Sequence, residues 1–327
     1  MNKNILVSML IVVRNAESDI VESIKSLINQ RFEKKQYEII IIDGLSTDNT
    51  IKIARQYLDN NSINYKILEN KNKTLATGWN IGIKASSGKY VVRPDAHAEL
   101  LNGYVENGIK KLRNDESLAS VGGVLITKSS SYMGNMIAKV LSNPIGVGAS
   151  LFRVGVKEDT YSDTAVYAVY KKEIFDKVGL FDESLERNQD IDLHMRISEK
   201  GYRFLTSPEM KAVYYSRTSL KKFISQAYDN GYWVTYGKSG HFRHMIPMLF
   251  LLLMIISLFS KILKLTIYPL YIGVVIFSYI IKSKEYNPLN LLVLLGLTFL
   301  LHLSYGFGSL VGLIKRNLGL NNDNKDK

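Results

Sequence analysis

The chain contains no cysteine, only six prolines and two tryptophans among its 327 residues. Without cysteine there is no disulfide framework, no thiolate zinc site, no iron–sulfur cluster and no cysteine nucleophile. Any metal must therefore rest on oxygen or imidazole. No GxGxxG or GxxxxGK element follows the first apolar run, which argues against dinucleotide dehydrogenases and P-loop NTPases. The N-terminus, MNKNILVSMLIVV, lacks the long apolar region and small-residue cleavage site of a signal peptide, so the chain is expected not to be secreted. Disorder is excluded by a hydrophobic content of 46%. The formal net charge of +12 comes without an arginine-rich stripe, so nucleic acid is not an expected partner.

What is present divides the chain near Met245. From there to Lys327 stand eight basic and three acidic residues, leaving 34 and 27 in the first 244. Three apolar runs, 245–263, 265–281 and 289–314, each approach the roughly 20 residues that cross a bilayer, and they predict two to three transmembrane helices. Basic residues flank every end: Lys238, His241, Arg243 and His244 before the first run, Lys261 and Lys264 after it, Lys282 and Lys284 after the second, Lys315 and Arg316 after the third. The expected division is a catalytic domain over residues 1–215, a basic and aromatic membrane-proximal segment over 216–244, membrane helices over 245–314 and a polar tail over 315–327. The catalytic domain is expected on the cytoplasmic face of a bacterial membrane, in a multi-pass protein.

The front part alternates strands and helices. The apolar run 6–13 precedes Ile20, Ile24, Leu27 and Ile28 at helical spacing; the run 38–42 precedes a helix that Thr47 or Asp48 can cap; 65–68, a helix around 79–85 and the strand 90–93 follow. This order predicts a mostly parallel, doubly wound α/β sheet with ligands at the carboxyl ends of its strands. Arg14 and Asn15, then Asp43, then Asp95, Ala96 and His97 stand at those ends. With no phosphate loop, a divalent metal held by a carboxylate is the expected way to manage phosphates. Asp95 and His97, two apart in extended chain, would face one side.

Four segments in order, VSMLIVVRN, IIIDGLSTDNT, TLATGWNIGIKASSGKYVVRPDAH and VYKKEIFDKVGLFDESLERNQDIDLHMRISEKGYRF, resemble the family 2 glycosyltransferases, inverting enzymes with the GT-A fold. Within that family, DAH at the metal element, NPIGVGASLFRVG and RNQD resemble membrane-anchored exopolysaccharide enzymes of the succinoglycan glucosyltransferase type. The resemblance implies a nucleotide-diphosphate sugar donor, taken as a UDP-hexose, a polyprenyl-diphosphate-linked acceptor and Mn²⁺ or Mg²⁺ on Asp95 and His97. It further implies nucleotide contacts from Arg14, Asn15, Asp43, Asn80 and Asp95, and Asp190 as the base that deprotonates the acceptor hydroxyl. Many relatives carry a second aspartate where this chain has Gly44, and a glutamate where it has Gln189.

Each site residue also has a plainer reading. Asp43 before glycine is ordinary turn chemistry, Asp190 can cap a helix, and His97 can be a solvated turn residue. Glu183, Glu186 and Asp192 are taken as structural, His194 as a surface histidine, and Tyr161, Tyr167 and Tyr170 as packing. QAYDNGYW resembles the place of a QxxRW element without its arginine, so Gln226 and Trp233 either approach the diphosphate or acceptor, or belong to a helix at the membrane surface. Two rival functions stand beside the first: a synthase acting on polyprenyl monophosphate, and a catalytically silent membrane scaffold.

Overall fold

The computed structural model describes residues 5–185, 187–216, 218–237 and 242–320; Glu186, Lys238, His241 and the tail residues 321–327 lie outside the described residues. The chain forms two compact units. The first comprises the chain up to Ile126 together with Gly155–Tyr215, and the second Thr127–Val154 with everything from Ser216 onward.

In the first unit the elements are β1 (Val7–Val13), α1 (Ile20–Ile28), β2 (Tyr37–Asp43), α2 (Thr50–Asn60), β3 (Tyr65–Glu69), α3 (Leu75–Ala85), β4 (Tyr90–Val92), β5 (Ala98–Leu100), α4 (Tyr104–Asn114) and β6 (Leu118–Lys128). Three helices, α5 (Tyr132–Leu141), α6 (Pro144–Val147) and α7 (Leu151–Val154), then leave for the second unit. On return the chain makes β7 (Thr160–Ser162), β8 (Val169–Lys171), α8 (Glu173–Val178), α9 (Gln189–Glu199) and β9 (Arg203–Tyr215).

The sheet has nine strands in the order β3-β2-β1-β4-β8-β6-β9-β5, with β7 on β9. Strands β3, β2, β1 and β4 are parallel; β2, β1 and β4 carry the apolar runs of strands buried on both faces, and β3, YKILE, is the half-buried edge. The expectation of a mostly parallel sheet holds for these four strands only. β4 pairs β8, β8 pairs β6, and β5 and β7 pair β9, all antiparallel. The parallel strands are joined by crossover helices α1, α2 and α3; beyond β4 the strand–helix alternation lapses, and with it the parallel pairing.

Helix α3 starts at Thr74, whose Oγ1 accepts from the Thr77 amide (3.3 Å). It lies close on the sheet because Gly78 faces Val12, where a Cβ would overlap the valine methyls. Leu10, Ile40, Ile42, Trp79, Tyr170, Phe181, Leu193 and Phe204 form one buried cluster, each contributing on the order of 1.5–3 kcal/mol. That cluster fixes α3, β8 and α9 around the carboxyl end of β4.

The second unit is helical: α5–α7, then α10 (Leu220–Tyr236), α11 (Ile246–Ser257), α12 (Lys261–Ser283) and α13 (Pro288–Asn317). Residues 127–154, expected within the first domain, belong here and not with the nine-stranded sheet, because Met136, Ile137, Val140 and Leu141 of α5 pack on Phe223, Ala227, Val275, Tyr279, Leu294, Leu297 and Leu301. The apolar run 245–263 is not one helix. It breaks after Ser257, and Ser260 starts α12 by accepting from the Leu263 amide. Among the described residues two helices, α12 and α13, are long and apolar enough to cross a membrane. His302 faces helix neighbours, its ring nitrogens meeting the Tyr271 hydroxyl (3.1 Å) and the Ile145 carbonyl (2.8 Å).

Candidate active site

The loops after β1 and β2 are stitched together by side chains. Asp43 Oδ1 accepts from the Ser46 amide (3.1 Å) and hydroxyl (2.6 Å), the Asn15 amide donates to Ser46 Oγ (3.0 Å), and Asn15 Oδ1 accepts from the Thr47 amide (2.8 Å). Asn15 takes φ 51°, a left-handed conformation that asparagine tolerates better than most residues. The N-cap of α2 is neither Thr47 nor Asp48 but Asn49, which makes no side-chain cap bond; Asp48, one residue before it, accepts from the Thr50 amide through Oδ1 (3.0 Å). Arg14, Asn15 and Asp43 are thus brought together. A Cβ on Gly44 would sit 3.2 Å from Arg14 Cβ, so glycine there lets the arginine stem lie across the turn.

At the end of β4 the backbone does not stay extended. Ala98 donates its amide to the Asp95 carbonyl (3.0 Å), making 95–98 a turn; the alternation argument for Asp95 and His97 therefore fails, and it is the turn that keeps the imidazole near the carboxyl. Burial raises the Asp95 carboxyl above its usual range; nearby His97 lowers it, Asp190 raises it, and Arg93 and the Tyr167 hydroxyl lower it. The Tyr167 hydroxyl donates to Asp95 Oδ2 (3.3 Å) from a residue at φ 46°.

Asp190 lies in the first turn of α9 and is ion-paired with Arg93, Nη2 to Oδ1 at 2.6 Å. Arg93 itself is buried, 4% exposed, with its guanidinium 5.4 Å from the Trp79 ring centroid, 5.5 Å from Tyr170 and 5.0 Å from Phe181. It also donates to the Tyr170 hydroxyl (3.1 Å). The Asp190 side chain keeps 46% exposure while Oδ1 is buried, so Oδ2 is its solvent-side oxygen.

His194, one turn further along α9, is not at the surface: it is 1% exposed. Nε2 meets the Tyr170 hydroxyl (2.7 Å) and Nδ1 the Thr164 hydroxyl (2.8 Å). Burial pushes its pKa down to about 4, so it is neutral at physiological pH. The path Thr164–His194–Tyr170–Arg93–Asp190 locks the rotation of α9 relative to β4.

The Asn80 amide is engaged inside the protein. It donates to the Phe181 carbonyl (2.9 Å) and Glu183 Oε1 (2.8 Å) and accepts from the Phe181 amide (2.9 Å). It braces the loop whose Phe181 ring covers Arg93. Asp192 pairs with Arg196 (2.8 Å), the structural role expected of it. Gln226 and Trp233 lie on α10 in the second unit, Trp233 stacking edge-on against Tyr232 and Tyr236.

Arg93, Tyr167, Tyr170 and His194 are the residues that sequence reasoning missed. A signal for Arg93 existed: an arginine ending the apolar strand YVV needs a buried anion. A cleft of about 230 Å³ opens beside His97 between α1 and β5. Asp19, Glu22 and Glu99 line it, and three carboxylates repel a diphosphate. Among the described residues no group of three or more His, Asp or Glu forms a ready metal cage. Asp95 and His97 still fit a cation as a partial donor set: a half-buried carboxyl beside another negative charge and an exposed imidazole, with further coordination left to ligand oxygens.

Residues 8–179 match the family described as Glycosyl transferase family 2. Across 95% of this chain and 98% of the relative, 32% of residues are identical to the dolichyl N-acetyl-alpha-D-glucosaminyl phosphate 3-beta-D-2,3-diacetamido-2,3-dideoxy-beta-D-glucuronosyltransferase of Methanococcus voltae. The succinoglycan biosynthesis protein ExoA of Rhizobium meliloti is 27% identical over 59% of this chain and 58% of its own. The narrower succinoglycan subgroup is thus not distinguished from the family at large. Among solved structures, the mannosyltransferase PcManGT from Pyrobaculum calidifontis in complex with GDP-Man and Mn²⁺ aligns with TM-score 0.53 at 14% identity, covering 97% of this chain and 76% of that one. S. aureus TarS 1–349 with UDP gives 0.50 at 16% identity, covering 68% and 64%. These structures share the GT-A fold with this chain.

Proposed function

The chain belongs to glycosyl transferase family 2, and from that membership we propose that it moves a hexose from a nucleotide-diphosphate sugar to a lipid-linked saccharide, with inversion, during assembly of an exopolysaccharide, capsule or similar glycan. The observation that carries the reading is the Arg93–Asp190 pair, which holds one carboxylate oxygen and leaves Oδ2 toward solvent. In the proposed step Oδ2 takes the proton of an acceptor hydroxyl. The hydroxyl oxygen bonds the anomeric carbon, and the bond from that carbon to the diphosphate breaks, releasing nucleoside diphosphate.

Arg14, Asn15 and Asp43 bind the nucleoside from the stitched loops, and Asn80 acts one step back by holding Phe181 over Arg93. Asp95 and His97 hold Mn²⁺ or Mg²⁺, which when bound supplies positive charge to the leaving diphosphate. His97 favours Mn²⁺. The curated relative from Methanococcus voltae is named for a dolichyl phosphate-linked acceptor, which supports a lipid carrier here.

The test is sugar transfer by membranes containing the protein, across a panel of UDP- and GDP-sugars with Mn²⁺ and a polyprenyl-linked acceptor extract, beside Asp95→Ala and Asp190→Asn. One donor turned over by the parent and by neither variant is expected. Turnover that survives Asp190→Asn would refute the base and point to a phosphate-oxygen acceptor, which needs no strong base.

A further inference from the structure

Charge in the second unit is one-sided and spread along its length. Its described residues include twelve lysines and arginines against two carboxylates, Asp229 and Glu285, and Glu285 is ion-paired with Lys139. Polar and charged groups accompany α13 from end to end. At its start Lys139 meets Glu285, and the Tyr132 hydroxyl donates to Asn290 (2.7 Å). At its middle Phe223 packs with Leu294, Leu297 and Leu301, bringing the adjacent, exposed Lys221 and Lys222 to that level. Near its end Arg316 donates to the Thr235 carbonyl (2.8 Å).

Helix α10 cannot be parted from α13. A Cβ on Gly231 would overlap the Tyr305 carbonyl, and Cβ atoms on Gly308 and Gly312 would overlap the carbonyls of Tyr228 and Tyr232. If α13 crossed the bilayer, α10 would enter with it and carry Lys221, Lys222 and Asp229 into hydrocarbon, which excludes charge. The 30-residue α13 is also about 45 Å long, against a hydrocarbon thickness of about 30 Å.

The apolar surface lies on the other helices. Around the junction of α11 and α12, Ile255, Ile256, Leu258, Phe259, Ile262 and Leu265 are all exposed, Phe259 to 87%. α12 then runs without a charge from Leu265 to Ile281. The 12 residues of α11 reach only about 18 Å, too short to cross.

We propose that the second unit is held in one leaflet of an anionic membrane: α12 lies along the leaflet with its outer face and its junction with α11 just beneath the phosphates, in the upper hydrocarbon, while α13 stays with α10 on the same side. This replaces the multi-pass arrangement expected from the hydrophobic runs. Lys261 and Lys264 at one end of α12 and Lys282 and Lys284 at the other then reach the phosphates of a single leaflet.

Because the chain has no cysteine, single thiols report position directly. Lys284→Cys and Leu318→Cys place one at each end of α13, at exposed positions, and Phe259→Cys places one at the apolar tip. In the full-length chain, with spheroplasts and inverted vesicles compared, a membrane-impermeant maleimide is expected to label positions 284 and 318 from the same side. Position 259 is expected to label only after detergent. Labelling of 284 and 318 from opposite sides overturns the proposal, and so does labelling of 259 from either side of an intact membrane.

Discussion

Replacing Arg93 with methionine should separate catalysis from stability. Arg93 is 4% exposed, ion-paired with Asp190 and hydrogen-bonded to Tyr170, so its loss frees the Asp190 carboxylate to rotate. A displacement of about 1 Å in a reacting group costs on the order of 10²-fold in rate, about 2.7 kcal/mol of barrier. Stability should respond less. Removing one partner of a fully buried ion pair costs roughly 3–5 kcal/mol, but the Asp190 side chain is 46% exposed and water can solvate it. Methionine also fills the box of Trp79, Tyr170 and Phe181 without the desolvation penalty of a cation. The net change should stay within roughly 1–2 kcal/mol. The assay pairs initial rates of nucleoside diphosphate release with thermal melting of the detergent-purified protein, for Arg93→Met, Asp190→Asn and the double variant. The first two should be slow and the double no slower than Asp190→Asn alone. Full activity in Arg93→Met, or additive losses in the double variant, would refute positioning of Asp190 by Arg93.

Other outcomes follow from the same contacts. His194 is held neutral by burial, with a pKa near 4 against 6.5 unfolded. A depressed histidine pKa means the unfolded chain binds the extra proton, so this contribution, on the order of 3 kcal/mol, is complete above about pH 6.5 and lost as pH falls toward 4. His194→Gln should flatten that part of the denaturant-midpoint curve, and an unchanged slope would contradict it. Gly44→Ala crowds Arg14 and should raise the KM for the donor several-fold with little change in kcat, read by varying donor concentration. Gly308→Leu drives a side chain into the Tyr228 backbone and should destabilise the second unit by more than about 3 kcal/mol. The readout is protease resistance of that unit; persistence of full resistance would show that α10 and α13 can separate.

The elements legible from local pattern were those whose hydrophobic faces are set by near neighbours in the chain. The runs in β1 and β2 and the stripe Ile20, Ile24 and Leu27 each need only a few consecutive residues to declare themselves. Asp43 and Asp95 could be placed at strand ends for the same reason, and the apolar character of the C-terminal third was plain from composition.

Tertiary structure alone decided what depends on distant pairing. Arg93 and Asp190 are nearly a hundred residues apart, and their ion pair leaves no periodic trace in either segment. His194 read as a surface residue because its helix is amphipathic and the groups that bury it, Tyr170, Thr164 and Phe204, are brought in from other strands and a loop. The antiparallel half of the sheet, the docking of residues 127–154 among the C-terminal helices, and the break of the first apolar run at Ser260 were likewise settled by contacts. Hydrophobicity states that a segment must be buried, whereas packing against specific partners selects what buries it.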